Sequence, residues 1–137
     1  MIRLAAFLIL WTGSASAHEV PGYVDRFRDG DTFEGGTYFP RFHGSFRLYC
    51  VDTPESFGSE SSEAGKQISE VVKGLKIKRG AFEVVKPGTF RDYLVWFTPE
   101  GWKISLNKWL WQRGVPLYDG LTSRERRVCL DRLGERP

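Results

Sequence analysis

Two short segments place acids and a base at the ends of strand-like runs: Asp29-Gly30-Asp31-Thr32, and Arg47-Leu48-Tyr49-Cys50-Val51-Asp52-Thr53-Pro54-Glu55. Hard cations such as Ca²⁺ take oxygen ligands, and two carboxylates leave coordination positions for water and a phosphate oxygen. A third acid, Glu55, is then spare to act on that water. Arg47 adds a planar guanidinium, which offers a bidentate fork to phosphate and stays charged at any working pH. Together these side chains suit metal-assisted hydrolysis of a phosphodiester, in which water attacks phosphorus and positive charge collects the equatorial oxygens.

Such residues need a scaffold, and the first seventeen residues read as something else. Arg3 gives a positive start, Leu4 to Trp11 is an unbroken apolar run, and Ala15-Ser16-Ala17 has the small-x-small form of a cleavage site. That order is the order of a secretory signal peptide, and the run is too short to span a bilayer. Residues 18–137 then form one domain of 120 residues, enough for one sizeable core. The expected destination is the periplasm or the medium, as a monomer without membrane attachment after cleavage. The chain carries 20 basic and 17 acidic residues, and its formal net charge of +3 falls to +2 without Arg3. A surplus that small does not by itself announce a nucleic-acid binder. Basic residues do gather at Lys73 to Arg79 and Arg124 to Arg132, but such runs are ordinarily solvated faces.

The elements that position the acids follow from periodicity. Tyr23 to Arg28 alternates as a half-buried strand ending in the Asp29-Gly30 turn signal. Thr32 to Phe39 is rich in Thr, Tyr and Phe but broken by Gly35-Gly36, and Pro40 ends it, with a loop up to Gly44. Ser45 to Val51 is the clearest strand, with Phe46, Leu48 and Cys50 on one face and Arg47, Tyr49 and Val51 on the other. Strict alternation puts Asp52 opposite Arg47, so the strand must bulge or turn if both serve one site. A helix follows Ser61-Ser62, with Ala64, Ile68, Val71, Val72 and Leu75 at helical spacing. Ala81 to Val85 and Tyr93 to Phe97 predict two more strands joined by a loop over residues 86–92. A short helix capped by Ser105 buries Leu106, Trp109 and Leu110, and a final helix opens on the Thr122-Ser123-Arg124-Glu125 capping box and carries Val128, Cys129 and Leu133. The two cysteines, Cys50 and Cys129, permit a disulfide in an exported protein, while two separately buried thiols are the other reading.

Asp29-Gly30-Asp31-Thr32, Phe46 to Glu55, and Leu106-Asn107-Lys108-Trp109-Leu110-Trp111-Gln112-Arg113-Gly114 resemble, in order and spacing, the thermonuclease family over residues 22–118. The resemblance implies an α+β, mainly β fold: a five-stranded OB-type barrel with about three packed helices. It also implies a nuclease of low sequence specificity that uses one Ca²⁺ per domain on DNA or RNA, single strands favoured. By that resemblance Asp31 and Asp52 supply metal carboxylates, Thr53 supplies its backbone carbonyl, and Glu55 is the general base beside Arg47.

The chain departs from the family pattern where a second phosphate-binding arginine is expected. It reads Thr89-Phe90-Arg91-Asp92-Tyr93-Leu94, which puts Asp92 in the arginine's place unless a one-residue slip lets Arg91 serve. An acid there would repel the scissile phosphate, and losing such a clamp costs a transition state several kcal/mol. A second expectation therefore stands beside the first: a module of the same fold that binds nucleic acid without cutting it. OB barrels bind single strands by stacking bases on aromatics, and Phe90, Tyr93 and Tyr118 could form that platform or simply pack in the core.

Overall fold

The computed structural model describes residues 19–55, 62–89 and 91–136. The expected signal peptide, Ser61 and Phe90 lie outside the described residues. Within them, five strands form a closed barrel in the order β1-β2-β3-β5-β4. They are β1 (Glu19–Phe27), β2 (Thr32–Thr37), β3 (Phe42–Leu48), β4 (Arg79–Pro87) and β5 (Asp92–Pro99), accompanied by helices α1 (Glu63–Gly74), α2 (Leu106–Gln112) and α3 (Ser123–Leu133). Every neighbouring pair is antiparallel except β3 and β5, which run parallel. This is the mainly β, OB-type barrel with three helices that the sequence leads one to expect.

Closure is driven by one buried aromatic from each of four strands. Phe33, Phe46, Phe82 and Phe97 are at most 1 % exposed, and their ring centroids lie 4.8 to 5.7 Å apart around the barrel axis. Tilted and edge-on pairs of this kind add about 0.5–1.5 kcal/mol each beyond the area they bury. Gly35 does not break β2. A Cβ there would lie 2.1 Å from the Tyr23 carbonyl oxygen on β1, so the glycine lets two backbones approach within the barrel wall.

The ends of the strands differ from the periodic reading in ways that matter for the site. β3 begins three residues earlier than Ser45 and stops at Leu48, because the chain turns at Cys50, whose φ is +78°. Beyond it, Asp52 N–H donates to the Pro116 carbonyl at 3.0 Å and Val51 forms an isolated bridge with Leu117. β4 and β5 are longer than expected, and the connection between them shrinks to residues 88–91.

Helix starts follow local chemistry. Ser62, Ser105 and Thr122 cap α1, α2 and α3 with side-chain oxygens that accept from the N–H of Gly65, Lys108 and Glu125, and the Thr122/Glu125 capping box is complete. The apolar stripes are narrower than expected, since Val72, Cys129 and Leu133 are buried while Val71 and Val128 stay about half exposed. Cys50 and Cys129 are joined by a disulfide, which ties α3 to the chain just past β3. Glu125 adds a polar clasp, accepting from Lys86 at 2.6 Å and the Tyr49 hydroxyl at 2.8 Å, and Lys86 foremost holds its carboxyl down at about 2.

Asn107, fully buried at the start of α2, accepts from Phe97 N–H at 3.1 Å and donates to the carbonyls of Tyr49 at 2.9 Å and Val95 at 3.0 Å. One side chain thus satisfies three buried backbone groups and fixes the turn next to Cys50. No helix among the described residues is long and apolar enough to cross a membrane.

Candidate active site

Three pieces of backbone deliver the acids to one end of the barrel. The hairpin between β1 and β2 closes through Arg28 and Asp29 N–H groups on the Thr32 carbonyl, and Asp31 leaves it at the start of β2. Its own carbonyl accepts from Leu48 N–H at 2.8 Å, so the hairpin is stitched to the end of β3. Arg47 stands on β3 directly across from Thr32. The turn at Cys50 then swings Asp52 back, and the alternation conflict disappears: Arg47 Nη2 meets Asp52 Oδ1 at 2.7 Å and Asp31 Oδ2 at 3.6 Å. Two carboxylate oxygens that share one nitrogen cannot be farther apart than those two lengths together.

Glu55 arrives by a different route. Its carbonyl accepts from Ser62 N–H at 2.9 Å, and Gly65 on α1 lies so close that a Cβ there would be 2.0 Å from the Glu55 oxygen. The start of α1 therefore anchors the Glu55 backbone while its side chain stays exposed. A cavity of about 190 Å³ is lined by Arg28, Asp29, Asp31, Thr32, Ser45, Arg47, Glu55 and Asp92. A more roomy cavity, about 540 Å³, lies elsewhere, along Val20, Tyr38, Arg79, Pro99 and Trp102, and brings no pair of buried acids together.

Electrostatics mark Asp31 as the buried member. It is 4 % exposed, and burial pushes its carboxyl from 3.8 up to about 6, against the pull of Arg47, the Thr53 N–H at 3.0 Å and the Thr32 hydroxyl at 3.0 Å. Burial also raises Asp52, opposed by Arg47. Without a bound cation, the folded chain holds the Asp31 proton more tightly than the unfolded chain does. Its contribution to stability is therefore greatest below about pH 4, falls between about pH 4 and 6, and stays low above. Asp31→Asn, measured by chemical denaturation in chelator, is expected to be more stable than the wild type by roughly 1–3 kcal/mol at pH 7 and nearly equal to it at pH 4. No gain at pH 7 would mean that the hydrogen bonds fully offset the burial of this carboxylate.

The remaining expected residues are placed as follows. Thr53 is buried, with its Oγ1 unpartnered. Tyr118 lies beside the site, with the Arg47 guanidinium 5.4 Å from its ring centre and its N–H donating to the Cys50 carbonyl at 2.8 Å. Arg91 is exposed, at φ +59°, and is not among the residues lining the cavity, where Asp92 stands instead. Tyr93 is half-buried and packs edge-on against Phe42. Periodicity did not single out Arg28 or Ser45 as cavity residues; a β2–β3 register was needed to find Ser45.

The donor set is all oxygen, which fits a hard cation that retains several waters. Asp31 and Asp52 with the Thr53 carbonyl are the residues that would hold it. Among the described residues, no group of three or more His, Cys, Asp or Glu side chains is placed to hold a metal ion. Comparison with protein-family models gives no match for this chain, and comparison with curated proteins gives none either.

Proposed function

We propose that this chain is an exported, Ca²⁺-dependent phosphodiesterase of the thermonuclease type, cutting DNA or RNA with low sequence specificity. The observation that carries the reading is the convergence of Asp31 and Asp52, from separate segments, on one Arg47 nitrogen beside a cavity that Glu55 also lines. Asp31, Asp52 and the Thr53 carbonyl hold the cation, which when bound supplies positive charge to a phosphate oxygen. Glu55, exposed at the cavity wall, accepts a proton from the attacking water. Arg47, at the same cavity wall, would offer its guanidinium fork to the equatorial oxygens. Tyr118, flanking Arg47, offers a face for a base to stack on. Export accords with the Cys50–Cys129 disulfide, a bond that persists in oxidising compartments.

The test is a gel assay of the purified protein on single-stranded DNA. Cleavage is expected with Ca²⁺, none in chelator, and recovery when Ca²⁺ is restored. Products that persist in chelator would remove the metal from the mechanism. One observation favours the second reading, a module that binds without cutting: Asp92 puts an acid where an approaching phosphate needs positive charge. Retained DNA with no products at any Ca²⁺ concentration would decide for that reading.

A further inference from the structure

The outer face of β1, β2 and β3 carries a row of rings that the scheme above does not use. Across the three strands Tyr23 stands beside Gly36, and Gly36 beside His43. A Cβ on Gly36 would lie 2.5 Å from the Tyr23 hydroxyl oxygen and 2.7 Å from the ring carbon that bears it, so the Tyr23 ring occupies the space over the glycine. Its centroid is 5.4 Å from that of Tyr38 and 6.3 Å from that of His43, whose ring is inclined to it by only 22°. Asp25 pins the imidazole through a 2.7 Å contact at Nε2. These rings are held in place yet open to water: the His43 side chain is 60 % exposed, Tyr38 is 49 % exposed and the adjoining Phe39 84 %. Contiguous aromatic surface kept in solvent marks an interaction site.

Alternation along β3 ties this patch to the candidate active site. His43, Ser45 and Arg47 leave the same face of the strand, and the last two line the cavity with Asp31 and Glu55. The four residues from Arg47 to His43 span about 13 Å of strand. In the row between, Arg26 on β1 pairs with Glu34 at 2.9 Å and keeps most of its side chain in solvent, and Arg41 stands exposed in the turn that carries Tyr38 and Phe39. A polynucleotide leaving the cavity along β3 therefore meets cations and then rings. That combination takes up single strands, because the backbone needs positive charge and every unpaired base has a face to stack on. A duplex, whose bases already stack on one another, gains little from such rings. We propose that Tyr23, Tyr38 and His43, with Phe39 beside them, form a stacking subsite for unpaired bases of the polynucleotide whose backbone enters the cavity. The proposal rests on the phosphodiesterase reading and adds to it a preference for single strands long enough to reach from the cavity to the rings.

The probe is a fluorescein-labelled phosphorothioate oligothymidylate of about twelve nucleotides, whose bonds resist hydrolysis, titrated with the purified protein and Ca²⁺ while anisotropy is followed. The double variant Tyr38→Ala, His43→Ala is expected to bind it at least tenfold more weakly than the wild type, with an unaltered melting curve and an unaltered rate of cutting a thymidine dinucleotide, which is too short to reach the rings. On a duplex of the same length the loss is expected to stay below about twofold. Should the double variant fail to fold, Phe39→Ser, at the most exposed of the rings, repeats the measurement with an expected loss of about threefold. Equal affinity of wild type and variant for the single strand overturns the subsite, and cleavage of ordinary single-stranded DNA by the wild type then leaves the phosphodiesterase reading standing. An equal loss on single strand and duplex overturns the subsite as well, since stacking needs unpaired bases. A tenfold loss in a protein that never cuts supports the subsite and removes the phosphodiesterase reading. A wild type that neither binds nor cuts overturns both.

Discussion

Glu55→Gln is expected to slow cleavage of single-stranded DNA by about 10²- to 10⁴-fold, the usual worth of a positioned general base, while Ca²⁺ affinity changes less than about threefold. The amide keeps the size and reach of the carboxylate but cannot accept a proton at neutral pH. The Glu55 backbone is anchored independently of its carboxylate, by Ser62 N–H and the close approach of Gly65. Its side chain is exposed, and substitutions at such positions ordinarily stay within about 0.5 kcal/mol of stability. Single-turnover cleavage and calorimetric Ca²⁺ titration on the same preparation separate the roles. Equal losses of rate and affinity would make Glu55 a metal ligand, and an unchanged rate would leave the water without a base in this scheme.

Removing the disulfide, as the double variant Cys50→Ala, Cys129→Ala, is expected to lower unfolding free energy by about 4 kcal/mol, the chain-entropy value for a loop of this length. The cross-link spans 79 residues, from the turn past β3 to the buried face of α3. A loss of that size is a large part of the roughly 5–15 kcal/mol that holds a domain folded. The site should suffer as well. Cys50 holds φ at +78°, a left-handed conformation that non-glycine residues occupy only when their surroundings impose it, and this turn carries Asp52 to Arg47. Urea denaturation measures the first effect and Ca²⁺ affinity in the absence of urea the second. Stability within about 1 kcal/mol of the wild type would show that Asn107 and the Tyr49–Glu125–Lys86 clasp hold this region without the cross-link.

Local chemistry was legible in the chain itself. Ser62, Ser105 and Thr122 were readable as helix caps because the N–H groups they satisfy lie three residues away, within reach of a short stretch of sequence. Individual strands were readable from alternation and their closure into a barrel only from the family resemblance, while Asp31, Asp52, Glu55 and Arg47 stood out by residue type at strand ends. Strand limits were not, because β3 ends where Cys50 turns, and that turn is imposed by Cys129, Asn107 and Pro116, which are distant in sequence. Which of Arg91 and Asp92 lines the cavity was likewise decided outside the segment. Pairing of Asp92 with Ser45 on β3 sets the register and leaves Arg91 in the exposed turn before it.

Sequence alone therefore determined which side chains were available and the kind of element that carries each, since propensity and capping act over a few residues. Tertiary structure decided which of them meet: a one-residue shift in register turns a side chain to the opposite face of a sheet, and the contacts that select the register come from strands and helices far along the chain.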